Sequence, residues 1–404
     1  MSSSLYPNIS ERAILLILGA VQFVNILDFM MVMPLGPDFA TALHINDTDL
    51  GWIGGSYTAA SAISGIICAL FIDMFDRKTA FIASFAGLMF CTALGGFSWS
   101  FNSLLVCRIM AGAFGGPATS LAWSIVADIV EPARRGQAMG KIMGAFSLAA
   151  IFGVPFGLEV ASLHNWSTPF FAISAMGVVM ILITWKKMPS MRAHLALGHE
   201  KISLRHLLQL VSRPINVMVY LYITIAMFAS FMLIPNLSAY VQYNMHYPRK
   251  DLGMLYSIGG IVSFITVLGT GRLVDRFSSF ITSLISMIVF IVTLHITFIY
   301  PVKGMPVLMF FVIFMFAMGM RNVSSTTLAT KIPTPQERAG FMSLFSCVQG
   351  IGMASGAFFS TRILSENADK SLNGMEHLAM VSVVLSLFVP ALIGVVERRL
   401  KKPQ

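Results

Sequence analysis

Apolar residues in this chain gather into runs too long for the core of a soluble domain. They fall near 13–36, 50–72, 80–99, 104–126, 139–162, 168–185, 215–240, 252–270, 281–300, 305–328, 341–362 and 378–396. Each run approaches the roughly 20 residues that cross a bilayer as a helix. The pattern therefore predicts twelve transmembrane helices and an all-α membrane protein. Most links between runs are short. The longest, about 186–213, is polar and basic (Lys186, Lys187, Arg192, Lys201, Arg205, Arg213) and lies mid-chain. It divides the chain into a six-span bundle over 1–185, a connector over 186–213 and a second six-span bundle over 214–404. The first run is followed by many others and lacks a small-residue cleavage site, so it reads as a retained span rather than a removed leader.

Composition agrees with lipid as the solvent. Of 404 residues 56% are hydrophobic and 11% charged, where a soluble protein carries about a quarter charged. The net charge of +9 does not read as a nucleic-acid surface, because the basic residues recur in short segments between apolar runs instead of clustering on one face. Counted loop by loop, one side holds Arg12, Arg77, Lys78, Arg134, Arg135, Lys141, the six connector residues, Arg272, Arg276, Lys331, Arg338 and the basic C-terminal end. The other side holds Arg249, Lys250, Lys303 and Lys370. Basic loops stay cytoplasmic, so both termini are expected inside. Cys68, Cys91, Cys107 and Cys347 lie in apolar runs without metal or disulfide spacing and read as packing residues.

The two halves echo one another. The stretch from Ala69 to Phe75, with Asp73, matches Gly271 to Phe277, with Asp275, at an offset of 202. Pro132 to Arg135 matches Pro335 to Arg338 at an offset of 203. A duplicated six-span unit follows, and such repeats place a substrate site between the halves near the midplane.

With those residues in view, the chain resembles the major facilitator superfamily, in particular its twelve-span drug:proton antiporters. The loop after the second span, Ala69-Leu-Phe-Ile-Asp73-Met-Phe-Asp76-Arg77-Lys78, is similar to the family's G-x-L-x-D-R-x-G-R-K, departing at Ala69, Met74 and Asp76. The resemblance implies a cytoplasmic latch in which Asp73 meets a helix N-terminus and Arg77 pairs with Asp128. A second copy is expected at Asp275 and Arg276. The alternative is an ordinary basic loop. On the fourth span, Arg108 to Gly112 is similar to R-x-x-x-G, whose arginine takes part in proton coupling; the alternative is an interfacial arginine reaching for headgroups. On the fifth span, Gly144, Gly153, Pro155 and Gly157 are similar to the antiporter pattern G-x8-G-x3-G-P-x2-G. Ala149 and Val154 stand at glycine positions of that pattern, and the last spacing is one residue short. The resemblance implies a helix bend associated with export; small-residue packing is the plain alternative.

Charges inside the runs carry the candidate chemistry. Asp28 lies fifteen residues beyond Ala13, roughly 22 Å along a helix and past the midplane. An arginine at a helix centre costs roughly 2.5–3.5 kcal/mol, so Arg108 needs a partner or water. In the resembled fold the first and fourth spans both line the cavity, which lets Asp28 and Arg108 meet. Low dielectric favours a neutral acid, a nearby cation a charged one. Asp28 is thus the candidate carrier of a coupling proton tuned by Arg108; a permanent ion pair is the alternative. Glu159 is either a second protonation or cation site or an interfacial carboxylate. Arg321 on the tenth span either binds anionic substrate groups, pairs across the halves or snorkels. His295 reads as packing.

Gln22, Asn25, Tyr57, Asn236, Tyr240 and Gln349 are the polar candidates for the cavity. The 28 Met and 32 Phe suit varied apolar ligands and equally suit lipid-facing packing. The leading expectation is proton-coupled export of a lipophilic or cationic small molecule by alternating access, as a monomer in a bacterial inner membrane, with protons and lipid as the other partners and no cofactor or metal. Uptake of a metabolite is the second reading, and a non-transporting scaffold or receptor the third. No Walker loop, HExxH or GxSxG is present, so an enzyme is not expected.

Overall fold

Helix starts in this chain are written by hydroxyl and carboxyl caps, each satisfying a backbone N–H that a helix leaves open. Ser10 accepts from Ala13, Asp76 from Lys78, and Ser278 from Ile281. Ser100 and Ser103 cap each other reciprocally. The computed structural model describes residues 10–71, 74–131, 134–192, 209–302, 304–334 and 337–401. Asp73, Lys303 and most of the connector lie outside the described residues.

Twelve long helices are present among the described residues. The first six are α1 Glu11–Met31, α2 Leu50–Phe71, α3 Arg77–Gly96, α4 Phe101–Ile129, α5 Gln137–Leu163 and α6 Thr168–Lys187. The second six are α7 Pro214–Asn244, α8 Arg249–Arg276, α9 Ser279–Ile299, α10 Val307–Thr330, α11 Arg338–Ile363 and α12 Met375–Lys401. Eleven have both the length and the hydropathy of a membrane span, and α2 has the length, with 22 residues. The chain is an integral membrane protein. The strand content of the described residues is one short antiparallel hairpin, Ser365–Glu366 with Leu372–Asn373.

The residues group into two units. Unit 1 is Met1–Val32 with Ser56–Leu204, and unit 2 is Met33–Gly55 with Arg205–Gln404. The grouping differs from the sequence division at 33–55, where the short helix Gly36–Leu43, the turn Asp47–Asp49 and the first residues of α2 join unit 2. In unit 1, α1 packs on α5 and α6, and α3 on α4 and α6. Unit 2 repeats these pairings, α7 on α11 and α12, α9 on α10 and α12.

The repeat reaches individual ion pairs. In unit 1 Arg134 grips Glu11 with two nitrogens at 3.2 and 2.7 Å. In unit 2 Arg213 grips Glu337 at 2.9 and 2.7 Å. Residue 11 is 202 positions before 213, and 134 is 203 before 337, the same offsets as the repeated loops. The polarity is reversed, so the acid sits on the first helix of one unit and on the fifth of the other. Both arginines are about half exposed, which limits each bridge to about 1 kcal/mol or less. Glu11→Arg alone is expected to lower the thermal midpoint slightly in low salt. Glu11→Arg with Arg134→Glu, which gives unit 1 the polarity of unit 2, is expected to recover it. Fluorescence-monitored melting checks this, and a double variant no more stable than the single removes the bridge as a link.

Candidate functional site

Four helices of unit 1 converge on one buried acid. Asp28, three residues from the end of α1, is 0% exposed. Arg108 of α4 donates from Nη1 to both carboxylate oxygens, at 3.1 and 3.0 Å. Thr92 of α3 lies 2.9 Å from Asp28 Oδ1 and 2.9 Å from the Leu88 carbonyl, so its single hydrogen serves one or the other. From α2, the Tyr57 ring lies beneath the guanidinium, 4.4 Å from Cζ to the centroid. Arg108 is 1% exposed, and its Nε has no hydrogen-bond partner among the described residues. The two charges neutralise each other, which is what permits either to be buried. The guanidinium nonetheless depends on Asp28 for its only counter-charge among the described residues.

A polar seam leads from this pair along one face of α1. Tyr57 donates its hydroxyl to Asn25 Oδ1 at 3.1 Å. Asn25 Nδ2 donates to Gln22 Oε1 and to Thr119 Oγ1, both at 3.0 Å. Gln22, Asn25 and Asp28 recur every third residue, the spacing that puts helical side chains on one face. Two glycines of α4 make room. A Cβ at Gly115 would lie 2.6 Å from the Tyr57 hydroxyl oxygen, and one at Gly112 would fall on the Tyr57 carbonyl. The glycine of the R-x-x-x-G stretch thus admits the residue whose ring supports the arginine. Gln22, Asn25 and Tyr57 are all buried, and their polar atoms engage one another.

The fifth helix braces the same point. Its residues Ala149–Gly153 form a wide π-turn, with the Val154 N–H bonded to the Ala149 carbonyl. Pro155 follows directly; its ring cannot follow the normal helical path past the preceding turn, and a widened turn relieves that clash. In the bend Gly153 meets Leu27, where a Cβ would lie 2.6 Å from Cδ1, and beyond it Gly157 meets Met31. Leu27 and Met31 flank Asp28, so the bend presses α5 onto α1 there. Gly144 behaves differently, since an added Cβ meets nothing within 4 Å. Glu159 is exposed, and its carboxylate makes no hydrogen bond or ion pair among the described residues.

Unit 2 holds a buried cation that has no acid partner among the described residues. Arg321 of α10 is 3% exposed. It donates to Ser230 Oγ, to Ser386 Oγ at 3.5 Å and to Met318 Sδ at 2.9 Å, and its Cζ stands 4.4 Å from the Phe290 centroid. Ser230 lies 202 residues after Asp28, so the repeat puts a hydroxyl where unit 1 has a carboxylate. The other polar candidates of unit 2 have separate partners. Asn236 donates to Ser360 Oγ at 3.0 Å, Tyr240 reaches the Thr297 carbonyl at 3.5 Å, and Gln349 lies 3.8 Å from Met227 Sδ.

At the start of α3, Arg77 pairs with Asp128 at 3.2 Å, both largely buried. Asp76 does more than cap. It accepts from Ser190 Oγ at 2.7 Å and from Met191 N at 2.8 Å, tying the segment after α6 to α3. Burial works to raise its affinity for a proton, but the bonds from Met191, Ser190, Lys78 and Thr79 outweigh it and hold this carboxyl below its ordinary range. In unit 2, Asp275 and Arg276 are exposed. Arg276 lies over the Phe277 ring at 5.4 Å, and Asp275 makes no ion pair among the described residues. Sequence reasoning passed over Thr92, Thr119 and the holding role of Asp76. The two threonines were legible only as hydroxyls in apolar runs.

The Major Facilitator Superfamily model matches residues 18–357. Among curated relatives, the "Uncharacterized MFS-type transporter YceJ" of Bacillus subtilis is 26% identical over 271 residues, 67% of this chain and 68% of its own. A "Probable sugar efflux transporter" of Helicobacter pylori strain J99 is 24% identical over 388 residues, 94% of this chain and 93% of its own. Among solved structures, a bacterial homologue of the human lysosomal transporter Spinster, inward-facing and occupied, has a TM-score of 0.73 at 17% identity, covering 95% of this chain and 96% of its own. The nucleoside transporter NupG has a TM-score of 0.69 at 13% identity, covering 96% and 100%. At these identities the structures share the fold.

Proposed function

The chain belongs to the Major Facilitator Superfamily, and on that premise we propose that it exports small lipophilic or cationic molecules in exchange for protons by alternating access. Membership makes it a membrane transporter of small molecules, not an enzyme. The observation that carries the finer reading is the fully buried Asp28–Arg108 pair. A proton added to Asp28 converts carboxylate to acid, breaks the ion pair and leaves Arg108 charged against the Tyr57 ring. Departure of that proton restores the pair. A two-state acid coupled to a cation that cannot leave is the element a gradient can drive. Glu159, exposed on a span, is assigned as a second protonation or cation group. Arg77 with Asp128, together with Asp73, Asp275 and Arg276, is assigned to the latch on the inner side. Gln22, Asn25, Asn236, Tyr240, Arg321 and Gln349 are assigned to substrate recognition.

Export is favoured over uptake by Gly153, Pro155 and Gly157 at the α5 bend and by the relative whose name includes sugar efflux. The basic-residue bias places both termini in the cytoplasm, and the expected working form is a monomer in a bacterial inner membrane. A second reading has one specific support. The amide and hydroxyl seam of Gln22, Asn25, Tyr57 and Thr119 matches the donors and acceptors of a neutral, hydroxyl-rich solute better than those of a lipophilic cation.

Everted vesicles incubated with a panel of lipophilic cations and simple sugars test both readings. Accumulation driven by an imposed proton gradient, lost in Asp28→Asn, is the expected result. Accumulation that ignores the gradient, or an Asp28→Asn protein that still follows it, overturns proton coupling through Asp28. The panel member that accumulates decides between a cation and a neutral solute, and accumulation only in right-side-out vesicles reverses the direction.

A further inference from the structure

Unit 2 carries a polar clasp, at the loops opposite the Arg213–Glu337 bridge, that the transport reading does not use. Segment 33–55 is fastened there to the loops of α7, α8 and α11. Arg249 holds Asp38 through Nε at 2.9 and 3.0 Å and through Nη2 at 2.5 Å. Lys370 donates to Thr41 Oγ1 at 2.7 Å. The hairpin that bears Lys370 is itself fixed by Asn244, which donates to the Leu372 carbonyl and accepts from the Leu372 N–H, both at 2.9 Å. Below it, α2 lies close on α11, where a Cβ on Gly55 would stand 2.6 Å from the Phe358 ring.

The Glu366 carboxyl reaches the backbone of Asp47 inside this clasp. The Asp47 N–H donates to Glu366 Oε2 at 2.6 Å, which brings the hairpin carboxyl onto the first residue of the Asp47–Asp49 turn. Asp47 is 2% exposed, and its Oδ1 has no hydrogen-bond partner among the described residues. The charged and titratable groups around it are Asp49 on its own turn, Glu366 and Lys370 on the hairpin, and Tyr243 on α7. Lys370 is engaged with the Thr41 hydroxyl, and Asp38 nearby is matched by Arg249. None of these groups donates to Asp47 Oδ1 among the described residues, and an ionised group in that position is costly. Like charges in one site resist ionising together.

We propose that Asp47 holds a proton while segment 33–55 is fastened to the hairpin, forming a further proton site, and that the clasp loosens when Asp47 ionises beside Glu366. Burial first, then the Glu366 carboxyl, pushes the Asp47 carboxyl up to about 7 against the pull of Lys370, and Asp49 is raised by the same two causes. The sign follows from linkage. The fastened state binds a proton at pH values where a released Asp47, at its ordinary 3.8, does not. Fastening therefore weakens as pH rises from the ordinary carboxylate range to about 7 and is flat above it. The site shares no residue with Asp28, and its test needs no transported solute, so it stands or falls apart from proton coupling.

Hydrogen exchange on the full chain in lipid nanodiscs reads the clasp directly, through peptides covering 36–55 and 364–374. After correction for intrinsic exchange, protection at about pH 6 is expected to exceed that at about pH 8 by about tenfold, the ratio for one unit below a midpoint near 7. Asp47→Asn removes the titrating group, and the step disappears with protection high at both pH values. Glu366→Gln removes the second negative charge, and the step moves to lower pH. A wild-type protein without the step, or an Asp47→Asn protein that keeps it, overturns the proposal. Should Asp47→Asn lose protection at both pH values, Glu366→Gln decides, and a step at the wild-type position overturns it.

Discussion

Asp28→Leu is expected to cost about 3–5 kcal/mol of stability and all proton-driven transport, while Asp28→Leu with Arg108→Leu regains most of the stability and none of the transport. The reason lies in what each change strands. Without Asp28, the guanidinium of Arg108 keeps its charge, because arginine does not give up its proton in a protein. It is then left at 1% exposure with the face of Tyr57 and an Nε that is already unpartnered. Without Arg108, Asp28 keeps the Thr92 hydroxyl and can become neutral by taking a proton. Arg108→Leu is therefore milder than Asp28→Leu. Removing both leaves apolar side chains in an apolar place, and Thr92 still bonds the Leu88 carbonyl. Buried ion pairs behave in this way, being harmful to break and close to neutral to replace whole. Melting in detergent should rank the proteins as wild type, double variant, Arg108→Leu and Asp28→Leu. A double variant as unstable as Asp28→Leu, or an Asp28→Leu protein that transports, removes the pair from the centre of the mechanism.

That pair was legible before any coordinates, and the physical reason is simple. A charge inside an apolar run is too costly to be incidental, so its presence points to a partner, and the resembled fold puts the spans of Asp28 and Arg108 on one cavity at comparable depth. The twelve helices were legible for the same reason, since lipid requires long uninterrupted runs. What the sequence hid was of another kind. Tyr57 and Asn25 stood out as polar residues in apolar runs, but that they bond each other and that Thr119 joins them depends on three helices crossing at one height. Asp76 stood where the resembled loop has glycine and read as a departure, yet its carboxylate gathers four hydrogen bonds and binds the segment after α6. The Asp47–Glu366 contact joins residues 319 positions apart, and neither lies in an apolar run where its charge would stand out. Segment 33–55 belongs by sequence to the first half and by contact to unit 2, a grouping that hydropathy does not encode. The repeat offset was readable from two loops, but that it also relates Glu11 to Arg213 and Asp28 to Ser230 is visible only once the contacts are known.

Glycine substitutions should separate close approach from mere composition. Gly112→Ala is expected to cost about 1–3 kcal/mol, the range for overpacking, and to cut transport by at least about tenfold, the equivalent of 1.4 kcal/mol. Its Cβ would fall on the Tyr57 carbonyl oxygen, with the Tyr57 C and Cα at 3.0 Å. Those are backbone atoms, so no rotamer change clears them, and α2 must move off α4. That movement draws Tyr57 away from Asn25 and from beneath Arg108, so one methyl group disturbs both the seam and the ion pair. Gly144→Ala is the matched control. It also stands in a glycine pattern of the resembled family, but nothing lies within 4 Å of its added Cβ, and alanine avoids the roughly 0.5–1 kcal/mol that glycine costs inside a helix. It should be neutral or slightly stabilising, with transport intact. Melting and vesicle transport on the two variants read the contrast. A Gly112→Ala protein that behaves like wild type, or a Gly144→Ala protein that fails like Gly112→Ala, would mean that the α2–α4 approach at Tyr57 does not set the geometry of the Asp28–Arg108 pair.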